Sequence, residues 1–226
     1  MKFLVSDYDG TLKSDINNLK INISAINEFR KKGNHFAIAT GRSYESIKNE
    51  INKYNINYDY LITNDGAITF DRFDNILNAE MIDSLLLKEL CNYIYSFKKY
   101  KNKLNVFTIP NSNEIIELQL LTSIFSSLKD LDDFLNKNPE IQKTNLKIFP
   151  FKFTFLKKYC NKSSAINKLI NLLNNNYEDI ITVGDASNDI EMLKDYNGYK
   201  MFFSYPCLLK HNFKVTKEVH KLIKKL

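Results

Sequence analysis

The sequence predicts an α/β fold, with a parallel, Rossmann-like sheet as its core and a smaller α+β module inserted into it. Apolar runs of four to six residues each stop in a polar turn containing Gly or Asp. Such runs read as strands buried on both faces. Amphipathic helical patterns separate the first three runs, which is the alternation of a parallel sheet. Beyond residue 80 the order becomes helix, strand, strand, helix, strand, strand, and past residue 158 the first pattern resumes. The predicted division is therefore a core of residues 1–79 plus 159–226 and an insertion of residues 80–158.

Lys2–Ser6 is the first predicted strand, and it ends in Asp7-Tyr8-Asp9-Gly10-Thr11. Ile23, Ile26 and Phe29 recur at helical spacing and predict a helix over Asn22–Lys32, with Gly33 as its stop. His35–Ala39 is the second strand, running into Thr40-Gly41-Arg42, and Ser43–Tyr54 the second helix. Tyr60–Thr63 is the third strand, followed by Asn64-Asp65-Gly66. In the insertion, Leu86, Leu87, Leu90 and Ile94 predict a helix over Asp83–Phe97. Leu104–Ile109 and Glu114–Leu120 predict strands joined by the turn-forming Pro110–Asn113. A helix over Lys129–Asn136 and a strand pair, Asn145–Phe149 and Phe151–Leu156, complete it. The core resumes with a helix over Ser163–Asn174 and a strand over Asp179–Val183 ending in Gly184-Asp185. A helix from Ile190 and an amphipathic helix over Lys217–Leu226 close the chain.

With 226 residues, 44% of them hydrophobic, the chain has ample material for a packed core, which excludes disordered and fibrous classes. No run approaches the roughly 20 apolar residues of a membrane span. Asp7 arrives too early for the apolar stretch of a signal peptide, so a cytoplasmic protein with no membrane partner is expected. Cys91, Cys160 and Cys207 are odd in number and widely spaced, which fits a reducing compartment. His35, His211 and His220 sit in unrelated contexts, against histidine-based zinc chemistry. The net charge of +6 first suggests a nucleic-acid partner. From Leu208 to Leu226, however, six lysines face one acid, which leaves +5 there and +1 elsewhere. Val215, Val219, Leu222, Ile223 and Leu226 recur at helical spacing in that tail. The charge reads as the outer face of one packed helix, and no nucleic acid is expected.

Chemistry concentrates at the predicted strand ends, where ligands sit in such sheets. Asp7 and Asp9 leave an extended chain on the same face. Two carboxylates so close repel unless a cation shares the site. Gly184-Asp185-Ala186-Ser187-Asn188-Asp189 places further acids after another buried strand. Acids from two strand ends suit Mg²⁺, which takes one or two carboxylates together with phosphate oxygens and water. Thr40-Gly41 offers a hydroxyl and a small turn before a helix, a phosphate cradle or an ordinary N-cap. Lys162 sits just before a helix, where its charge opposes the dipole; taken alone it reads as a solvated lysine.

Together these residues resemble the haloacid dehalogenase superfamily of phosphohydrolases. Asp7-Tyr8-Asp9-Gly10-Thr11 resembles its nucleophile motif, Thr40 its phosphate-binding hydroxyl, Lys162 its motif lysine, and Gly184-Asp185 with Asn188-Asp189 its acidic metal motif. The order of the insertion resembles the type IIB cap of the Cof-type, sugar-phosphatase-like subfamily. That subfamily carries Asn-Gly-Ala after its third strand, and Asn64-Asp65-Gly66-Ala67 is one residue longer. Relatives also carry a Gly-x-Ala-Met-Gly-Asn-Ala-like stretch after the metal motif; here a bulkier Gly198–Pro206 segment replaces it.

The resemblance implies a Mg²⁺-dependent phosphatase that hydrolyses a small phosphorylated metabolite through an aspartyl-phosphate. Asp7 is then the nucleophile and Asp9 the general acid and base. Asp7, Asp185 and the Asp9 backbone carbonyl hold the metal. Thr40, Gly41, Lys162 and Asn188 hold the phosphate, with Arg42, Asn64 and Asp189 in support. Asp189 is expected to orient Lys162 or the metal shell rather than to ligate. Cap residues would exclude water and select the substrate, and the chain would be a monomer or weak homodimer. A phosphomutase or phosphotransferase on the same scaffold is one alternative, and Arg72 is the only cap-proximal arginine to grip a second phosphate. A non-catalytic nucleic-acid-binding or regulatory protein on this scaffold is the other.

Overall fold

The computed structural model describes residues 1–82, 104–121, 144–149 and 152–226. Two compact units divide the chain, Met1–Asn78 with Asn161–Leu226, and Ala79–Cys160.

In the first unit, β1 (Lys2–Ser6), β2 (His35–Ala39), β3 (Tyr60–Thr63) and β10 (Asp179–Gly184) are the apolar runs of the sequence. Each lies parallel to its neighbours in the order β10-β1-β2-β3. The sheet extends further than the sequence predicts. On one side β4 (Ile68–Asp71) pairs antiparallel with β3 and is followed by β5 (Ile76–Ala79). On the other, β11 (Asn197–Met201) and β12 (Lys214–Thr216) add in parallel, giving eight strands.

Alternation along the strands splits the core between two faces. Phe3, Val5, Ala37, Ala39 and Ile62 pack on Ala165, Ile166 and Leu169 of the helix Lys162–Leu173 and on Met192. Two helices meet beside β2: α1 (Ile16–Lys31) lies against both β2 and the short C-terminal helix Val219–Ile223. Asn22 joins them, accepting the His220 backbone N–H at 2.8 Å and donating to the Leu12 carbonyl at 2.9 Å.

Three expectations change. The first helix starts at Ile16, not Asn22, because the Asp15 carboxylate caps it by accepting the N–H groups of Asn17 and Asn18. The tail is not one helix. Lys214-Val215-Thr216 completes the sheet edge with Val215 exposed, and only Val219–Ile223 is helical. The six tail lysines are exposed all the same. The segment after the metal motif, read only as bulky, supplies β11.

The second unit holds β6 (Leu104–Thr108), β7 (Ile115–Leu121), β8 (Thr144–Phe149) and β9 (Lys152–Lys157). They form a four-stranded sheet in the order β6-β7-β9-β8, antiparallel throughout. Asn111 takes a left-handed φ of 62° in the β6–β7 turn, as turn asparagines do. Ile116 and Leu156 are buried, and Glu80 pairs with Lys157 at 2.8 Å. The predicted helices Asp83–Phe97 and Lys129–Asn136 lie outside the described residues. Among the described residues, no helix is long and apolar enough to cross a membrane.

Candidate active site

The ends of β1, β10, β2 and β3 and the start of α3 (Lys162–Leu173; α2 being Tyr44–Tyr54) converge on one point. Parallel pairing places these strand ends side by side, so residues far apart in sequence become neighbours. The Asp7 N–H bonds the Val183 carbonyl at 2.9 Å, which extends the β1–β10 ladder by one step into the acids. Gly10 then turns the chain at φ +80°, where a side chain would be strained. A Cβ there would also fall 2.4 Å from Asp185 Oδ2, so the loop can approach Asp185 only as glycine. Thr11 uses that approach, its hydroxyl donating to Asp185 Oδ1 at 2.8 Å.

Asp7, Asp185 and Asp189 each offer an oxygen, all within 4.8 Å of one another, and all three residues are buried. Lys162 sits among them with no exposure. Its ammonium donates to Asp7 Oδ1 at 2.5 Å and to Asp189 Oδ1 at 2.7 Å. The lysine is the site's buried cation, not a solvated side chain. It is placed there because Asn161 and Ser164 form a capping box that starts α3 at Lys162. Asp189 is fully engaged. Its Oδ2 accepts the N–H groups of Asp185 and Ala186 at 2.9 and 3.0 Å.

Burial pushes the Asp7 carboxyl well up from its ordinary value; Lys162 opposes this, while Asp189 and Asp185 add to it. Burial likewise pushes Asp185 up to about 6, against the Thr11 hydrogen bond and with the help of Asp189. Burial favours the neutral form of Lys162, but the charges of Asp189, Asp7 and Asp65 outweigh it and hold the ammonium protonated. One lysine thus leaves the acid cluster short of positive charge. All-oxygen donors with surplus negative charge fit a hard divalent cation such as Mg²⁺.

Thr40 is buried at the end of β2, and its Oγ1 accepts the Arg42 N–H at 3.1 Å. Arg42 does not reach toward the acid cluster. Its guanidinium forks onto Asp9, Nε to Oδ2 at 2.6 Å and Nη2 to Oδ1 at 2.7 Å, and lies over the Tyr8 ring. The Asp9 side chain is 53% exposed and stands apart from the three clustered acids. Asn64 is buried, its N–H bonding the Arg42 carbonyl at 2.9 Å, so its backbone braces the β2 turn. Asn188 donates its amide to Asp65 Oδ1 at 2.7 Å. Asp65 is the buried acid that sequence reasoning passes over. Its only trace is the extra residue in Asn64-Asp65-Gly66-Ala67.

The family model of haloacid dehalogenase-like hydrolases matches residues 4–116 and 95–221. An uncharacterized protein of Mycoplasma capricolum is 30% identical across 98% of this chain and 96% of its own length. A 5-amino-6-(5-phospho-D-ribitylamino)uracil phosphatase of Bacillus subtilis is 26% identical across 86% of this chain and 81% of its own. Among solved structures, a subclass IIB sugar phosphatase superposes with a TM-score of 0.77 at 20% identity, covering 100% of this chain and 98% of that one.

Proposed function

The chain belongs to the haloacid dehalogenase-like hydrolases, and on that premise we propose that it is a Mg²⁺-dependent phosphatase of a small phosphorylated metabolite, a sugar phosphate or similar phosphomonoester. The observation that carries this reading is Lys162, a buried cation between Asp7 and Asp189 at the carboxyl end of the sheet. A lysine so placed draws a phosphate dianion onto the Asp7 carboxylate.

An Asp7 oxygen attacks phosphorus, and the phosphorus–oxygen bond to the leaving alcohol breaks, giving an aspartyl-phosphate. Asp9, half exposed at the edge of the site, gives its proton to the departing alkoxide. It then takes a proton from the water that attacks the same phosphorus, which frees Asp7 and inorganic phosphate. The exchange requires Asp9 to part from the Arg42 fork or to share it with substrate. Thr40, the Gly41 N–H, Lys162 and Asn188 hold the phosphate oxygens, and Asp189 fixes Lys162. Asp7, Asp185 and the Asp9 carbonyl would hold Mg²⁺, which neutralises charge as the phosphoryl group transfers. The ribitylamino-uracil phosphate and sugar-phosphate activities named for the two phosphatases above support a polyol or sugar phosphate as the substrate class.

Purified protein with Mg²⁺ should release phosphate from an aryl phosphate and from members of a sugar-phosphate panel. Asp7→Asn should abolish that release while leaving the circular dichroism spectrum and the melting temperature near those of the wild type. Phosphate release by Asp7→Asn at the wild-type rate, or none by the wild type on any member, would overturn the reading.

A further inference from the structure

The proposed mechanism gives Asp65 no task, yet the fold spends strain to keep it in place. The residue is 2% exposed, beside residues assigned to an anion. Burying a second negative group there is unfavourable unless it is well bonded. Its backbone takes a left-handed φ of 54°, a conformation that costs a residue bearing a Cβ. Two of the bonds that hold it run to the phosphate side. The Asp65 N–H donates to the Thr40 carbonyl at 3.0 Å, and its Oδ1 accepts the Asn188 amide at 2.7 Å. Its carboxylate oxygens lie 3.1 and 3.2 Å from where a Cβ on residue 41 would sit, so a larger residue at Gly41 presses on it. Its charge also acts on Lys162. Thr40, Gly41 and Asn188 thus all meet Asp65, and Lys162 feels its charge.

We propose that Asp65 is the positioning residue of the phosphate cradle: it accepts the Asn188 amide and so fixes which end of that side chain meets the phosphate. This rests on the phosphatase reading. A carboxylate only accepts hydrogen bonds, whereas an asparagine side chain has a donating and an accepting end. Asp65 therefore holds the Asn188 nitrogen in place. One N–H is spent on Asp65, and the second N–H serves a phosphate oxygen. Without the carboxylate the amide is free to turn and present its own oxygen to an anion.

Inorganic phosphate with Mg²⁺ is the probe, its binding measured by calorimetry and as product inhibition. Asp65→Ala should weaken phosphate binding and raise KM about tenfold, with a smaller change in kcat. Asp65→Asn keeps an accepting oxygen but adds a donating end, so it no longer dictates the orientation of Asn188 and should weaken phosphate binding in the same direction as Asp65→Ala, by a smaller factor. The double variant Asp65→Ala with Asn188→Ala should be no worse than Asn188→Ala alone, since both remove one interaction. Losses that multiply, or phosphate binding unchanged in Asp65→Ala, would overturn the assignment. Should Asp65→Ala not fold, Asn188→Asp combined with Asp65→Asn replaces it. That swap restores the hydrogen bond with donor and acceptor exchanged, so stability returns while phosphate affinity stays low. Affinity returning along with stability also overturns the assignment. A wild type that binds phosphate but hydrolyses no phosphomonoester defeats the phosphatase reading alone, because the calorimetric comparison still tests Asp65.

Discussion

At the amino end of the central sheet, Asp59 accepts two bonds from Arg30, at 2.9 and 2.6 Å, and a third from the Phe36 N–H at 2.9 Å. At the carboxyl end, Asp7, Asp185 and Asp189 crowd round a single lysine. Burial pushes Asp59, Asp7 and Asp185 up. At Asp59 the Arg30 hydrogen bonds, the Phe36 N–H and the guanidinium charge outweigh it, and the carboxyl lies below its ordinary value. At Asp7 and Asp185 burial wins, and both are raised. The amino end is completed by packing: Phe3 stacks on Tyr177 at 5.0 Å, and His35 Nδ1 meets the Tyr177 hydroxyl at 2.7 Å. One end of the sheet satisfies its own charges. The other leaves a deficit that a cation and a substrate would fill, which is how a functional site differs from a structural ion pair of the same residue types.

Removing Lys162 should deepen that deficit and give the largest effect. Lys162→Ala should lower turnover about 10²–10³-fold through the lost phosphate contact. It should also destabilise the metal-free protein by about 3–5 kcal/mol near neutral pH, because buried carboxylates lose their partner. Initial rates and urea unfolding read the two effects separately. Activity falling with stability untouched would mean that Lys162 does not hold the acid cluster together.

Lys162 also marks the limit of what the sequence reveals. Asp7, Asp9 and Asp185 are legible because each follows a short apolar run, and burial in a parallel sheet dictates such runs. A lysine at the first position of a helix carries no such sign, since its burial depends on two acids 155 and 27 residues away. The Arg42–Asp9 fork and the Asp65–Asn188 contact are hidden for the same reason. In the scaffold, β5 and β12 escape because edge strands need no continuous apolar run, and β4 and β11, one place further in, escape because polar residues interrupt their short sequences, Ile68–Asp71 and Asn197–Met201. Gly198 within β11 also reads as a breaker. The start of α1 escapes because Asn17, Asn18 and Lys20 break its apolar stripe, although the Asp15 cap is a local signal that was there to be read.

The contrast between the two ends sharpens with Mg²⁺. At about a hundredfold excess over its dissociation constant, Mg²⁺ should stabilise the wild type by about 2.7 kcal/mol. Asp185→Asn should lose most of that gain and, without metal, be as stable as the wild type or more so, because it removes one repelling charge. Thermal melts with and without Mg²⁺ check this. An Asp185→Asn protein that is destabilised without metal yet gains the full Mg²⁺ increment would place the cation elsewhere.

Asp59→Asn should do the reverse. It breaks a satisfied pair, so it should cost about 1–3 kcal/mol at neutral pH and leave turnover unchanged. The sign of its pH dependence follows from the depressed carboxyl. A group whose pKa is lower folded than unfolded stabilises the protein above its unfolded pKa, near 4 for aspartate. That contribution is lost as pH falls through the folded value. The stability difference between wild type and Asp59→Asn should therefore be flat from pH 7 to about 5 and shrink below about 4. Guanidinium unfolding across that range measures it. A difference that grows on acidification would mean that Arg30 does not hold Asp59 ionised, and the two ends of the sheet would no longer differ in the way their charges are satisfied.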